Sequence, residues 1–177
     1  AIDYLIKASG NERNLYVTFF GGEPLLCFDV IKKVVAYCKE REKATGKNFF
    51  YNMTTNGTLL NEEINKFIIQ NKIGTMISID GNKKQHNANR FDKMGNGSYD
   101  EVMDKTDALR KMGYLSARAT ITATNINLES VFEHLNVEGF SNVPMAPAYN
   151  LMSNEDFERY VVELEKLCNY FEELLKR

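Results

Sequence analysis

The chain has 177 residues, 44% of them hydrophobic and 26% charged, with a net charge of −2. That length suffices for one domain with a hydrophobic core, and the slight acidic excess offers nothing to a nucleic-acid backbone, which attracts clustered Lys and Arg. No apolar run approaches the ~20 residues that cross a bilayer, residues 1–8 lack the basic-then-apolar order of a signal peptide, and the sparse, widely spaced Cys27, Cys38 and Cys168 argue for a reducing, cytoplasmic setting.

In chain order, Ile2, Leu5 and Ile6 have helical spacing and Gly10 stops the run. Leu15–Phe20 reads as a first strand. Val30, Ile31, Val34, Val35 and Cys38 form the stripe of a helix, Phe49–Thr55 a second strand, and Leu60, Ile64, Phe67 and Ile68 a second stripe, capped by Asn61. Thr75–Asp80 is a third strand, followed by a polar loop containing His86. Ser98 with Glu101 reads as a capping box ahead of the stripe Val102, Thr106, Leu109 and Met112. Leu115–Thr122 is a fourth strand, Leu128, Val131, Phe132 and Leu135 a fourth stripe, and Asn142–Ala146 a fifth strand. Ser153 with Asp156 opens a last helix, whose face Tyr160, Val161, Leu164, Leu167, Cys168, Phe171 and Leu174 is core by default. Gly10, Gly46, Gly74, Gly113 and Gly139 stand between helical runs and strands, where a left-handed residue is wanted.

Strand–helix alternation at this spacing predicts a parallel sheet covered by helices. The strand faces choose between architectures. Ala117, Ala119 and Ile121 alternate with Arg118, Thr120 and Thr122, and Ile77 and Ile79 with Ser78 and Asp80. A sheet sandwiched between two helical layers is apolar on both faces, so one polar face predicts an α/β fold of the partial (β/α) barrel type, with about five βα units and a ligand-holding interior.

Ligands of such folds bind at the carboxyl ends of the strands. The first strand ends in Gly21-Gly22-Glu23-Pro24, where two glycines let backbone approach a ligand and Glu23 offers a negative charge suited to an ammonium group. The plain alternative is a tight turn before a helix. A phosphate loop is excluded, because no Gly-Lys-Ser/Thr follows and the acid would repel phosphate. Arg118, mid-strand on the polar face, should be buried and needs an anionic partner; that partner is a ligand carboxylate or, structurally, Glu23 or Asp80. Ser78 and Asp80 can hydrogen-bond ribose or amino-acid groups, or simply begin a loop. His86 and His134 are lone histidines. No Cys/His cluster has metal spacing, no strand carries an inward lysine, and no serine sits in a nucleophile elbow.

Val17-Thr-Phe-Phe-Gly-Gly-Glu-Pro-Leu25 resembles the glycine-glycine-glutamate motif of radical S-adenosylmethionine (SAM) enzymes. Thr54-Thr-Asn-Gly57 is similar to the end of their next strand. Ser78-Ile-Asp-Gly81, His86, Arg90 and Gly95-Asn-Gly-Ser-Tyr99 resemble the stretch that follows in the branch of anaerobic sulfatase maturases and thioether-forming peptide maturases. The likeness runs to about Thr122. It implies that Gly21, Gly22 and Glu23 bind the amino group of SAM, and that Ser78 and Arg118 contact its ribose or carboxylate. Asn56 and Asp80 are further cofactor-binding positions on the same ground. It also implies a reduced [4Fe-4S] cluster that cleaves SAM to a radical, hydrogen abstraction from a peptide or protein substrate, and reduced ferredoxin or flavodoxin as electron donor.

The family's Cys-x3-Cys-x2-Cys loop is absent. Cys27 and Cys38 lie eleven residues apart and neither has a near partner. The expectation is therefore that residues 1–177 are the central part of a radical SAM core barrel, with the cluster loop before them and a cysteine-rich (SPASM) auxiliary-cluster domain after them, and that they are inactive alone. A non-catalytic nucleoside- or peptide-binding module is the alternative, and an unrelated barrel lyase or aldolase a third reading.

Overall fold

The computed structural model describes residues 1–176. Its strands are β1 (Asn14–Phe19), β2 (Asn48–Thr55), β3 (Gly74–Ser78), β4 (Leu115–Ile121) and β5 (Met145–Pro147). Its helices are α1 (Ile2–Ala8), α2 (Phe28–Thr45), α3 (Glu62–Gln70), α4 (Lys83–Asn89), α5 (Tyr99–Lys111), α6 (Leu128–Val137) and α7 (Asn154–Leu175). The sheet order is β1-β2-β3-β4-β5, and β1–β2 and β4–β5 are parallel pairs. Strands laid down in chain order are those of successive barrel units; a doubly wound sheet reverses its order at a switch point. The chain divides into two compact units, Ala1–Thr55 with Leu59–Met76, and Asn56–Thr58 with Ile77–Arg177.

In the first unit, β1 and β2 pair with Leu15 opposite Phe49 and Val17 opposite Tyr51. The period of two sends Leu15, Phe49, Tyr51 and Met53 into a core that also holds Ile31, Val35 and Cys38 of α2 and Ile64 and Ile68 of α3. Each such side chain contributes about 1.5–3 kcal/mol by leaving water. The opposite face is open: Tyr16 and Phe50 stack on it at 5.3 Å. Asn61 caps α3 as its sequence suggests, accepting from the Ile64 N–H, and Gly46 ends α2 in the left-handed region. Gly74 does not serve as a helix stop. The left-handed residue there is Lys72, and Gly74 opens β3 beside Asn52.

In the second unit, β4 buries Leu115, Ala117, Ala119 and Ile121 and turns Ser116, Arg118 and Thr120 the other way, as predicted. Helices α5 and α6 bury Val102, Thr106, Leu109, Leu128, Val131 and Leu135.

Besides Gly74, four expectations change. The polar stretch after β3 is helix α4 rather than loop: it has no apolar stripe, and its start is held by a capping box between Asn82 and Gln85. Ser98 makes no capping bond; its hydroxyl faces His86 instead. The fifth strand starts later than its β-prone residues suggest. Asn142 and Pro144 do accept bonds from Ala117 and Ala119, but Pro144 has no N–H to return. Last, α7 buries only Leu167, while Val161, Leu164 and Cys168 stay exposed. Its packing is with α6, where Phe171 meets Phe132 edge-on at 4.8 Å.

Candidate functional site

At the end of β1, Gly21 has φ +153° and both Gly21 and Gly22 are exposed. Nothing lies within 4 Å of where a Cβ would stand on either residue. Packing therefore does not demand Gly22; the space above it is available to a bound molecule. Glu23 closes the turn as N-cap of the 3-10 segment Pro24–Cys27, with Pro24 in the first turn. Its Oε1 accepts from the Leu25 N–H at 3.1 Å and from Thr55 Oγ1 at 2.7 Å. Thr55 is the last residue of β2, so the carboxylate is fixed from two strand ends within the first unit.

In the second unit, Asn56 Oδ1 accepts from the Thr58 N–H and hydroxyl at 2.9 and 2.8 Å, which folds the chain back on itself. Gly57 follows with φ +81° and a Cβ position 3.2 Å from Val102, so this turn requires glycine. Ser78 and Arg118 lie on neighbouring strands, joined by the Ile79 N–H bond to the Arg118 carbonyl at 3.1 Å. The Ser78 side chain is half-buried and makes no hydrogen bond to any described residue. Arg118 is exposed rather than buried, and its guanidinium has no ion-pair or hydrogen-bond partner among the described residues. Burial was expected from its polar-face position; that face of β4 is open at Arg118.

Asp80 is engaged elsewhere. Its carboxylate is 1% exposed and takes two bonds from Arg90, Nε to Oδ2 at 2.6 Å and Nη2 to Oδ1 at 3.0 Å. Oδ1 also accepts the Thr120 N–H at 2.8 Å. Asn125 donates to the carbonyls of Asp80 and Thr120, both at 2.9 Å. The buried ring of His86 lies alongside: Nδ1 accepts the Asp80 N–H at 3.4 Å, which leaves the proton on Nε2 to face Ser98 Oγ at 2.9 Å. Burial pushes its pKa down to about 4, with Asp80 opposing and Arg90 reinforcing the fall. His134 meets the Tyr99 hydroxyl at 2.7 Å, a structural contact. Reading the residues one by one missed Arg90, Asn125 and His86 as a group linked through Asp80; the resemblance picked out His86 and Arg90 but gave them no role, and Asn125 had no signal.

Among the described residues no group of three or more His, Cys, Asp or Glu could hold a metal ion. Cys38 is buried, and Cys27 and Cys168 are exposed and free. The chain's own thiols do not fit an iron–sulfur cluster. Among the described residues no helix is long and apolar enough to cross a membrane.

Strands that follow one another in chain order and pair in parallel define the chain as a partial (β/α) barrel. The sequence model of the Radical SAM superfamily matches residues 1–137, and the chain belongs to that superfamily. It is 27% identical over 151 residues to the cysteine-type anaerobic sulfatase-maturating enzyme of Clostridium novyi (strain NT), covering 82% of this chain and 40% of that protein. It is 26% identical over 110 residues to the radical SAM cyclopropyl synthase TigE of Paramaledivibacter caminithermalis, covering 62% of this chain and 22% of that protein. The solved structure of native anSMEcpe with bound AdoMet and Cp18Cys peptide superposes with a TM-score of 0.82 at 21% identity, over 99% of this chain and 52% of that one. That likeness establishes the fold, and the chain spans about half or less of the length of these relatives.

Proposed function

We propose that the chain is the SAM-binding, central part of the core barrel of a maturase that removes a hydrogen atom from a peptide or protein substrate. Support comes from the superfamily membership and from relatives described as sulfatase-maturating enzymes and a cyclopropyl synthase. The reading is carried by groups of opposite chemistry, each seen within its own unit: at the end of β1 a fixed carboxylate, Glu23, beside two open glycines, and in the middle of β4 a guanidinium, Arg118, with no ion-pair or hydrogen-bond partner among the described residues. Those are the groups that a zwitterionic amino acid requires. Glu23 and the backbone of Gly21 and Gly22 would hold the ammonium of SAM, Ser78 its ribose, and Arg118 its carboxylate. Asn56 and Asp80 would shape the tips. Bound SAM would supply the oxidising power for hydrogen abstraction, with an external donor such as reduced ferredoxin or flavodoxin. The thiolates for the cluster would come from outside residues 1–177, as would an auxiliary-cluster domain. Residues 1–177 alone would be inactive, in a reducing, cytoplasmic setting.

The test is Glu23→Ala, titrated calorimetrically with SAM and separately with adenosine, which lacks the ammonium. Loss of a charge-assisted bond should weaken SAM about tenfold or more, at ~1.4 kcal/mol per decade, and leave adenosine unchanged. Equal SAM affinity in both proteins would contradict the role given to Glu23.

A further inference from the structure

We propose that Arg90 is a positioning residue that sets the spacing of the β3 and β4 tips, and through them the placement of Ser78 and Arg118; this rests on the function proposed above. Backbone pairing between these strands reaches the Ile79 N–H bond to the Arg118 carbonyl. One step further, the Thr120 N–H turns to the Asp80 carboxylate. A side chain has taken the place of a backbone acceptor just beyond the end of β3, so the geometry of the tips depends on where that carboxylate is held. Arg90 holds it, with two near-parallel bonds from one planar fork. The same guanidinium approaches Thr120 Oγ1 at 3.4 Å, so a single group addresses both strand ends. Asn125 braces the carbonyls of the same two residues. Arg90 itself is delivered by the end of α4, whose start is fixed by the Asn82–Gln85 capping box.

Side chains two residues apart on a strand share a face. Arg118 therefore stands on the face of Thr120, and Ser78, the last residue of β3, precedes Asp80 by two residues, so both lie one step back from the clamp. Arg90 does not contact the ligand in this scheme; it acts through Asp80 and Thr120. A lysine could keep the charge but not the fork, because an ammonium is a point donor that cannot make both carboxylate bonds in one plane and still reach Thr120.

The decisive variant is Arg90→Lys, read in two ways on the same chain. Without ligand, amide hydrogen exchange at Ile79 and Thr120 should speed up by about tenfold or more, while Leu15 and Phe49 in the first unit keep their rates. With SAM, affinity should fall about tenfold, and the ligand-induced shifts at the Ser78 and Arg118 amides should shrink while those at Gly21 and Gly22 persist. A folded variant with unchanged exchange and SAM affinity within about twofold of the parent would overturn the proposal. Loss of fold in both Arg90→Lys and Arg90→Gln would overturn it too, in favour of a purely structural pair. Failure of the unsubstituted chain to bind SAM would instead strike the function proposed above, and the exchange measurement would still decide whether Arg90 governs the tips.

Discussion

Asp80→Ala should cost the second unit about 3–5 kcal/mol, more than any other single substitution at the strand tips. The carboxylate is almost wholly buried and satisfies the Arg90 fork and the Thr120 N–H together. Removing it leaves a partly buried cation and a backbone donor with no acceptor, and the cost is that of the orphaned partners rather than of the bond alone. Asp80→Asn should cost less, because an amide oxygen can still accept from Thr120 while the charge opposite Arg90 is gone. Denaturant unfolding followed at a probe in the second unit measures both. A loss below about 1 kcal/mol for Asp80→Ala would mean that Arg90 finds another partner, and the clamp would then not be the organising contact.

His86 gives the second large effect, and it is a pH effect. In the fold the ring is neutral, with Nδ1 accepting from the Asp80 N–H and Nε2 facing Ser98. Protonation would put a second donor against the Asp80 N–H at a fully buried ring. Burial accordingly drives the pKa from its ordinary 6.5 to about 4. The unfolded chain takes up a proton near pH 6.5 that the folded chain refuses until about pH 4. Stability from this group is therefore complete above pH 6.5 and is lost as the pH falls from there to about 4. At about 1.4 kcal/mol per pH unit the whole loss is roughly 3 kcal/mol. Unfolding free energies of the parent and of His86→Gln, measured from pH 7 to pH 4.5, should converge as the pH falls. A His86 ring that titrates near 6.5 by NMR in the folded chain would refute this environment.

The architecture was legible because its signals are local and periodic. Alternation in Leu115–Ile121 sorted apolar from polar faces residue by residue, and that one polar face distinguished a barrel-type sheet from a sandwich. Helix α4 was hidden because its stability rests on a cap and on two buried contacts of His86, not on an apolar stripe. The α7 face misled for the opposite reason: a stripe that looks like core becomes core only where something covers it, and α6 covers only one side. At the strand ends, residue type predicted which side chains carry polarity but not where that polarity is directed. Asp80 and Arg118 both look like ligand groups in sequence. Only the fold reveals that Asp80 is taken by Arg90, ten residues on, whereas Arg118 has no partner among the described residues.

The proposed function is tested most directly by asking whether the residues assigned to SAM respond to it. The direct measurement is an NMR titration of the nitrogen-15-labelled chain with SAM, following the amides of Gly21, Gly22, Asn56, Ser78 and Arg118. The account predicts that all five shift along one saturation curve with a single dissociation constant. Shifts confined to one unit, or two groups of residues following different curves, would contradict it.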